Sequence, residues 1–145
     1  MKPPNRPSPT DYQAVIRSPP ETVDDAHDFL NDVWAQHPDV TAEERMACET
    51  ILSELVTNVI QNNPHREIFC DVRVRITPGE VVIETSDTGD EAPPPQPTAD
   101  MPEQQAEHGR GLPLIYLLAD DVQHRWQDAR NIWRVTRVRA TEPPQ

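Results

Sequence analysis

Lysine is almost missing from this sequence: Lys2 is the only one in 145 residues. A Walker A phosphate loop, a Schiff-base lysine or a lysine general base therefore has no candidate in the folded part of the chain. Thiols are scarce too. Cys48 and Cys70 stand apart in apolar surroundings without C-x-x-C spacing, which reads as two buried free thiols rather than a disulfide or zinc site. Basic charge as a whole is short, with 13 Lys and Arg against 25 Asp and Glu and a formal net charge of −12. Nucleic acid demands a basic footprint, so direct nucleic-acid binding is disfavoured, whereas a basic protein partner is compatible. No apolar run approaches a membrane span, and the opening MKPPNRPSPT lacks the apolar stretch of a signal peptide. The expectation is a cytoplasmic protein without membrane contact.

Proline is the residue in excess. The 17 prolines crowd the start, the stretch from Pro93 to Pro102, and the end at Pro143 and Pro144. Proline fixes φ and lacks an N–H, so these segments read as loops or tails. The chain has the length of one domain with a real core. The boundaries are a disordered proline-rich tail over 1–10, one domain over 11–139 with a mobile loop at 88–108, and a second tail over 140–145.

Periodicity supplies the elements. Thr22 opens a helical pattern with Val23, Ala26, Leu30, Val33 and Trp34 on one side. A second helix starts at TAEE, where Thr41 and Glu44 form a capping box, and runs to NNP, where Pro64 stops it. Then the period falls to two. Ile68, Cys70, Val72, Val74 and Ile76 alternate with polar residues, TPGE turns the chain, and VVIETSD follows with Val81, Ile83, Thr85 and Asp87 on one face. After the acidic loop comes a short apolar helix over 112–119, then the strands DVQHRWQ and NIWRVTRV; YQAVIR reads as an early strand. The order β, α, α, β, β, loop, α, β, β predicts an α+β two-layer sandwich, with helices on one face of a mixed, mostly antiparallel sheet.

Three polar features do not belong to a plain core. Glu54, Asn58 and Asn62 form a stripe along the border of the second helix's apolar face, the first two one turn apart. SDTG ends a strand with Asp87 on the covered face and Gly89 where the chain must turn and admit a close approach. HGRGL brings Gly109, Arg110 and Gly111 to a helix N-terminus with free N–H groups. Each alone has an ordinary structural explanation: a solvated glutamate and bonded amide, a strand-ending turn, and a loop-end hinge.

In series and in this element order they resemble the ATP-binding domain shared by gyrase, Hsp90, histidine kinases and MutL, and above all the short form found in bacterial anti-sigma-factor serine/threonine kinases. SELVTN resembles the first ATP motif of that family, SDTG its adenine-site motif and HGRGL the glycine motif after its lid. The resemblance covers 22–138 and implies a Bergerat fold, with ATP and Mg²⁺ as cofactors. It implies Asn58 as the Mg²⁺ ligand, Glu54 as catalytic base and Asp87 as acceptor for the adenine amino group. It further implies that Gly89 admits the ring, that Gly109, Arg110, Gly111 and Leu112 wrap the phosphates, and that Asn62, which stands where these kinases often carry a histidine, belongs to the ATP site. The second glycine of the adenine motif is replaced by Glu91, and ARNIW occupies the place of a late Gly-Thr element. By the same analogy the partners are a sigma factor, an anti-anti-sigma antagonist, or both, and the form is compatible with a homodimer. The competing readings are a non-catalytic nucleotide-dependent switch, and a nucleotide-independent adaptor using the side of the sheet with Arg73, Arg75, Arg125 and Arg137.

Overall fold

A computed structural model describes residues 10–92 and 111–140. The elements, in chain order, are β1 (Asp11–Ser18), α1 (Val23–Ala35), α2 (Ala42–Asn62), β2 (Ile68–Ile76), β3 (Glu80–Asp87), α3 (Gly111–Leu118), β4 (Asp121–Gln127) and β5 (Arg130–Val138). The five strands form one sheet in the order β1-β2-β3-β5-β4.

Every neighbouring pair is antiparallel, so the sheet is antiparallel rather than mixed. The reason lies in the last hairpin. The chain leaves β3, crosses through α3 and enters β4 in the same direction as β3, but β5 turns back and takes the place between them. The parallel relation expected of a strand-helix-strand crossover is thereby split by an intervening strand. The β4–β5 turn is tight, with Asp128 and Ala129 both at positive φ (54° and 60°), as a two-residue hairpin requires.

The helices start where the sequence supplies caps. Thr22 and Asp25 form a capping box on α1, and Thr41 and Glu44 form another on α2. Such a cap contributes about 1 kcal/mol. The helices lie on one face of the sheet, where Leu30, Ile51, Leu52 and Val56 meet Val72, Val74, Ile83 and Val135 in a fully buried core. Cys48 and Cys70 are free and lie inside this core, where burial pushes both thiols up to about 12. At that value neither is a nucleophile or a metal ligand near neutral pH. No helix among the described residues is long and apolar enough to cross a membrane.

A polar clasp closes the end of the fold where α2 begins. Glu44, 3% exposed, accepts hydrogen bonds from the backbone N–H groups of Thr41 (3.0 Å) and Ala140 (2.9 Å) and pairs with Arg139 at 3.4 Å. Arg139 in turn donates to the Thr77 carbonyl, the Asp39 carbonyl and the Asp39 carboxylate. Burial pushes the Glu44 carboxyl up, but its N–H donors and Arg139 outweigh burial and hold it below its ordinary value. The clasp ties the end of β5 to the α1–α2 loop and to the β2–β3 turn.

One arginine lies on the opposite side from the one expected. Arg137 stands opposite Val81, on the helix-covered face, and donates to the Leu118 carbonyl at the end of α3. It therefore does not share a surface with Arg73, Arg75 and Arg125, because β5 alternates and 137 has the parity of the buried Trp133 and Val135.

Candidate functional site

The far end of α2 meets the end of β3 and the start of β5. The sheet register sets Asp87 directly opposite Asn131, so two polar side chains face each other on the covered side of the sheet. Both are buried, Asp87 to 3% exposure and Asn131 to 1%. Asn131 Nδ2 donates to Asp87 Oδ1 at 3.0 Å, and the Gly89 N–H donates to the same oxygen at 2.9 Å. Both donors fall on Oδ1; Oδ2 receives no hydrogen bond from the described residues. Burial raises the Asp87 carboxyl above its ordinary value, against the opposing effect of the Asn131 and Gly89 donors. A buried carboxylate whose second oxygen is left free by the described residues and faces a cavity is available to a ligand.

Asn131 also fixes the turn beyond β3. Its Nδ2 donates to the Asp90 carbonyl at 2.8 Å and its Oδ1 accepts from the Ala92 N–H at 2.8 Å. His124 on β4 reaches the same Oδ1 at 3.2 Å and lies against the Trp133 ring, 4.3 Å between centroids. From the helix side, Asn63 closes the C-terminus of α2. Its Nδ2 donates to the Val59 carbonyl (2.7 Å), and its Oδ1 accepts from the Asp90 N–H (3.0 Å). Arg66 adds bonds to the Asp90 carboxylate and the Thr88 carbonyl. The stretch from Thr88 to Ala92 is thus held at several points.

Gly89 is needed for space. A Cβ there would stand 2.4 Å from Asn63 Nδ2 and 3.0 Å from Asp87 Oδ1. Asn63 is itself anchored at both ends of its amide, so the neighbour cannot yield without breaking a bond. The close approach read into SDTG is an approach of the turn to the end of α2.

Of the residues singled out in the sequence, Asn58, Asn62 and Asp87 line one cavity, together with Leu55, Asn63 and Trp133. Its volume between the described walls is about 10 Å³, room for one water. Glu54, one turn before Asn58, is half-buried, does not line this cavity, and has no hydrogen bond or ion pair with a described residue. Asn62 is exposed at the cavity rim. Gly111 and Leu112 begin α3, while Gly109 and Arg110 lie outside the described residues, as does most of the acidic loop. Among the described residues no group of three or more His, Cys, Asp and Glu side chains is placed to hold a metal ion. The Asn58 side chain, facing the cavity without a hydrogen-bond partner among the described residues, offers one hard oxygen donor. That fits Mg²⁺ held mainly by phosphate and water oxygens and by only one or two protein ligands.

Sequence reading missed Asn63 and Asn131. An asparagine inside the strand NIWRVTRV, where its type is disfavoured, was the available signal for the second. Asn63 was hidden behind its role as the residue before Pro64.

No individual curated protein matches the chain. The family model for the histidine kinase-like ATPase domain matches residues 16–137, which spans every described element except the first part of β1 and the end of β5. Five antiparallel strands under a helical layer, with the strand-end aspartate facing the asparagine-bearing helix, are consistent with the Bergerat architecture of that ATP-binding family. The chain therefore belongs to the histidine kinase-like ATPase domains.

Proposed function

We propose that this protein binds Mg·ATP between α2 and the β3 end of the sheet and uses it to regulate a partner protein, as a serine/threonine kinase of the anti-sigma type. The observation that carries the nucleotide part is the Asp87 carboxylate, buried with its two donors among the described residues on one oxygen and facing a cavity shared with Asn58. Asp87 accepts from the adenine amino group through its second oxygen, while Asn131 and Gly89 hold the first and so fix the carboxylate plane. Asn58 supplies an oxygen to Mg²⁺, which supplies charge neutralisation of the phosphates when bound. Gly109, Arg110, Gly111 and Leu112 enclose those phosphates, with the N–H groups at the start of α3 directed toward negative charge.

A purine needs more room than one water. The wall that can give way is the turn over Asp90 to Ala92, which is held by hydrogen bonds to Asn63 and Asn131, whereas the other walls are a helix and two strands. Glu54, without a hydrogen bond or ion pair to a described residue and one turn from Asn58, orients the hydroxyl of a partner's serine or threonine and accepts its proton. The partner is an antagonist protein of a sigma-factor switch, with the sigma factor as the second client.

The test is a melting titration of the intact chain with Mg·ATP, with Mg·ADP and EDTA controls, followed by incubation with labelled ATP and candidate antagonists. Saturation a hundredfold above Kd adds about 2.7 kcal/mol of stability. No shift at millimolar nucleotide overturns the reading. A shift with partner binding but no label on serine or threonine assigns the protein to occupancy-driven switching, with Glu54 idle.

A further inference from the structure

The helices cover one face of the sheet, and the other face carries arginines that the nucleotide site does not use. Arg17, Arg73, Arg75, Arg125, Arg130 and Arg134 all project there by register. Three of them are neutralised locally: Arg75 by Asp11 at 2.8 Å, Arg17 by Glu67 at 3.3 Å and Arg130 by Asp71 at 3.4 Å. Arg73, Arg134 and Arg125 have no ion pair with a described residue. Arg73 and Arg134 stand directly opposite Glu84 from its two sides, and neither comes within ion-pair distance of it. In a chain of net charge −12, three guanidiniums are thus gathered around one carboxylate on an open surface.

The surface has shape as well as charge. Two adjoining depressions, of about 100 and 180 Å³, share Glu84 and Arg134 as their common wall. Val82 lies in the first and is only 7% exposed, although it points away from the helical core; arginines line the depression around it. Ile132 lies in the second. Each depression therefore pairs an apolar group with exposed guanidiniums.

We propose that the band formed by Arg73, Arg134 and Arg125 docks an acidic, partly apolar segment of a protein partner. Its carboxylates meet the guanidiniums, and its small apolar side chains rest on Val82 and Ile132. Paired carboxylate and apolar groups along an extended peptide match two depressions in line, where a single free anion would use only one. Nucleic acid is disfavoured, since Glu84, Asp71 and Asp11 interrupt the face and a phosphate backbone offers no apolar side chain to Val82 and Ile132. A second copy is disfavoured because Arg73, Arg134 and Arg125 would face their own copies across a two-fold contact.

The probe is a fluorescein-labelled peptide of Glu, Leu and Gly, titrated with the intact chain at low salt and read by anisotropy. R73E combined with R134E weakens binding at least tenfold or so, and E84Q tightens it, as expected where rim charges set association. Unchanged melting of both variants shows that the fold is intact. Equal binding of the peptide with Gln in place of Glu, or equal binding by R73E/R134E, overturns the proposal. Tighter binding of a single-stranded oligonucleotide through the same arginines overturns it in favour of nucleic acid. A sedimentation dimer dissolved by R134E overturns it in favour of a second copy.

Discussion

The two ends of α2 each bury a carboxylate, and they treat it in opposite ways. At the start, Glu44 is bonded by two backbone N–H groups and Arg139, and its carboxyl is held below the ordinary value. At the finish, Asp87 receives two neutral donors on one oxygen, and burial holds its carboxyl above the ordinary value. A fully bonded charge fastens elements together. One with an oxygen left free by the described residues is available to a ligand, as proposed for Asp87.

The largest effect in this comparison belongs to the fastening end. Arg139→Ala leaves Glu44 buried without its cation and frees the Thr77 and Asp39 contacts, and breaking a buried pair of this kind costs about 3–5 kcal/mol. Chemical denaturation reads that loss. A cost below 1 kcal/mol or so would mean that the clasp is ornamental and that the two ends do not differ in kind.

Next comes the support of the other end. Asn131→Ala strands the Ala92 N–H and the Asp90 carbonyl and removes one of two donors to Asp87. The expected loss is about 1–3 kcal/mol, with weaker Mg·ATP binding in the melting titration. Gly89→Ala acts on the same cluster through the clash with Asn63 and should match it in both readouts. If either variant loses stability but keeps full nucleotide affinity, the turn is packing and not part of the site.

The pH dependence separates the ends by sign. Glu44 has a depressed folded value, so its contribution is complete above its unfolded value and is lost as pH falls through the folded one. Glu44→Gln therefore costs most near neutral pH, and its cost fades in acid. Asp87 has a raised folded value, so its charge destabilises the fold near neutral pH and that burden lifts as it takes up a proton. Asp87→Asn is accordingly neutral or stabilising near pH 7, and its advantage fades as pH falls. Denaturation midpoints across pH for both variants check the opposite signs.

Much of this was legible in the sequence, and what was not has a common cause. The period-two run from Ile68 to Ile76, the capping box at Thr41 and the stop at Pro64 are local signals, and β2, β3 and α2 follow them. Glu54, Asn58 and Asp87 stand out because polar residues at the border of an apolar face need a reason to be there. Asn131 acquires its role only from a strand register that sets it opposite Asp87, and Arg139 only from a fold that returns the end of β5 to the start of α2. Such long-range pairings are not written in the local sequence; an asparagine within a strand marks Asn131 as out of place without naming its partner. Arg137 is different, since the alternation of β5 already assigned it to the covered face.

Asp87 is proposed to be kept for a ligand at some expense in stability. Melting of the wild-type chain and of Asp87→Asn, each with and without saturating Mg·ATP, tests it in one experiment. The expected result is a variant that melts at or above the wild-type temperature and no longer shifts with nucleotide, beside a wild type that does shift. A variant that melts several degrees lower, or that keeps the wild-type shift, would contradict it.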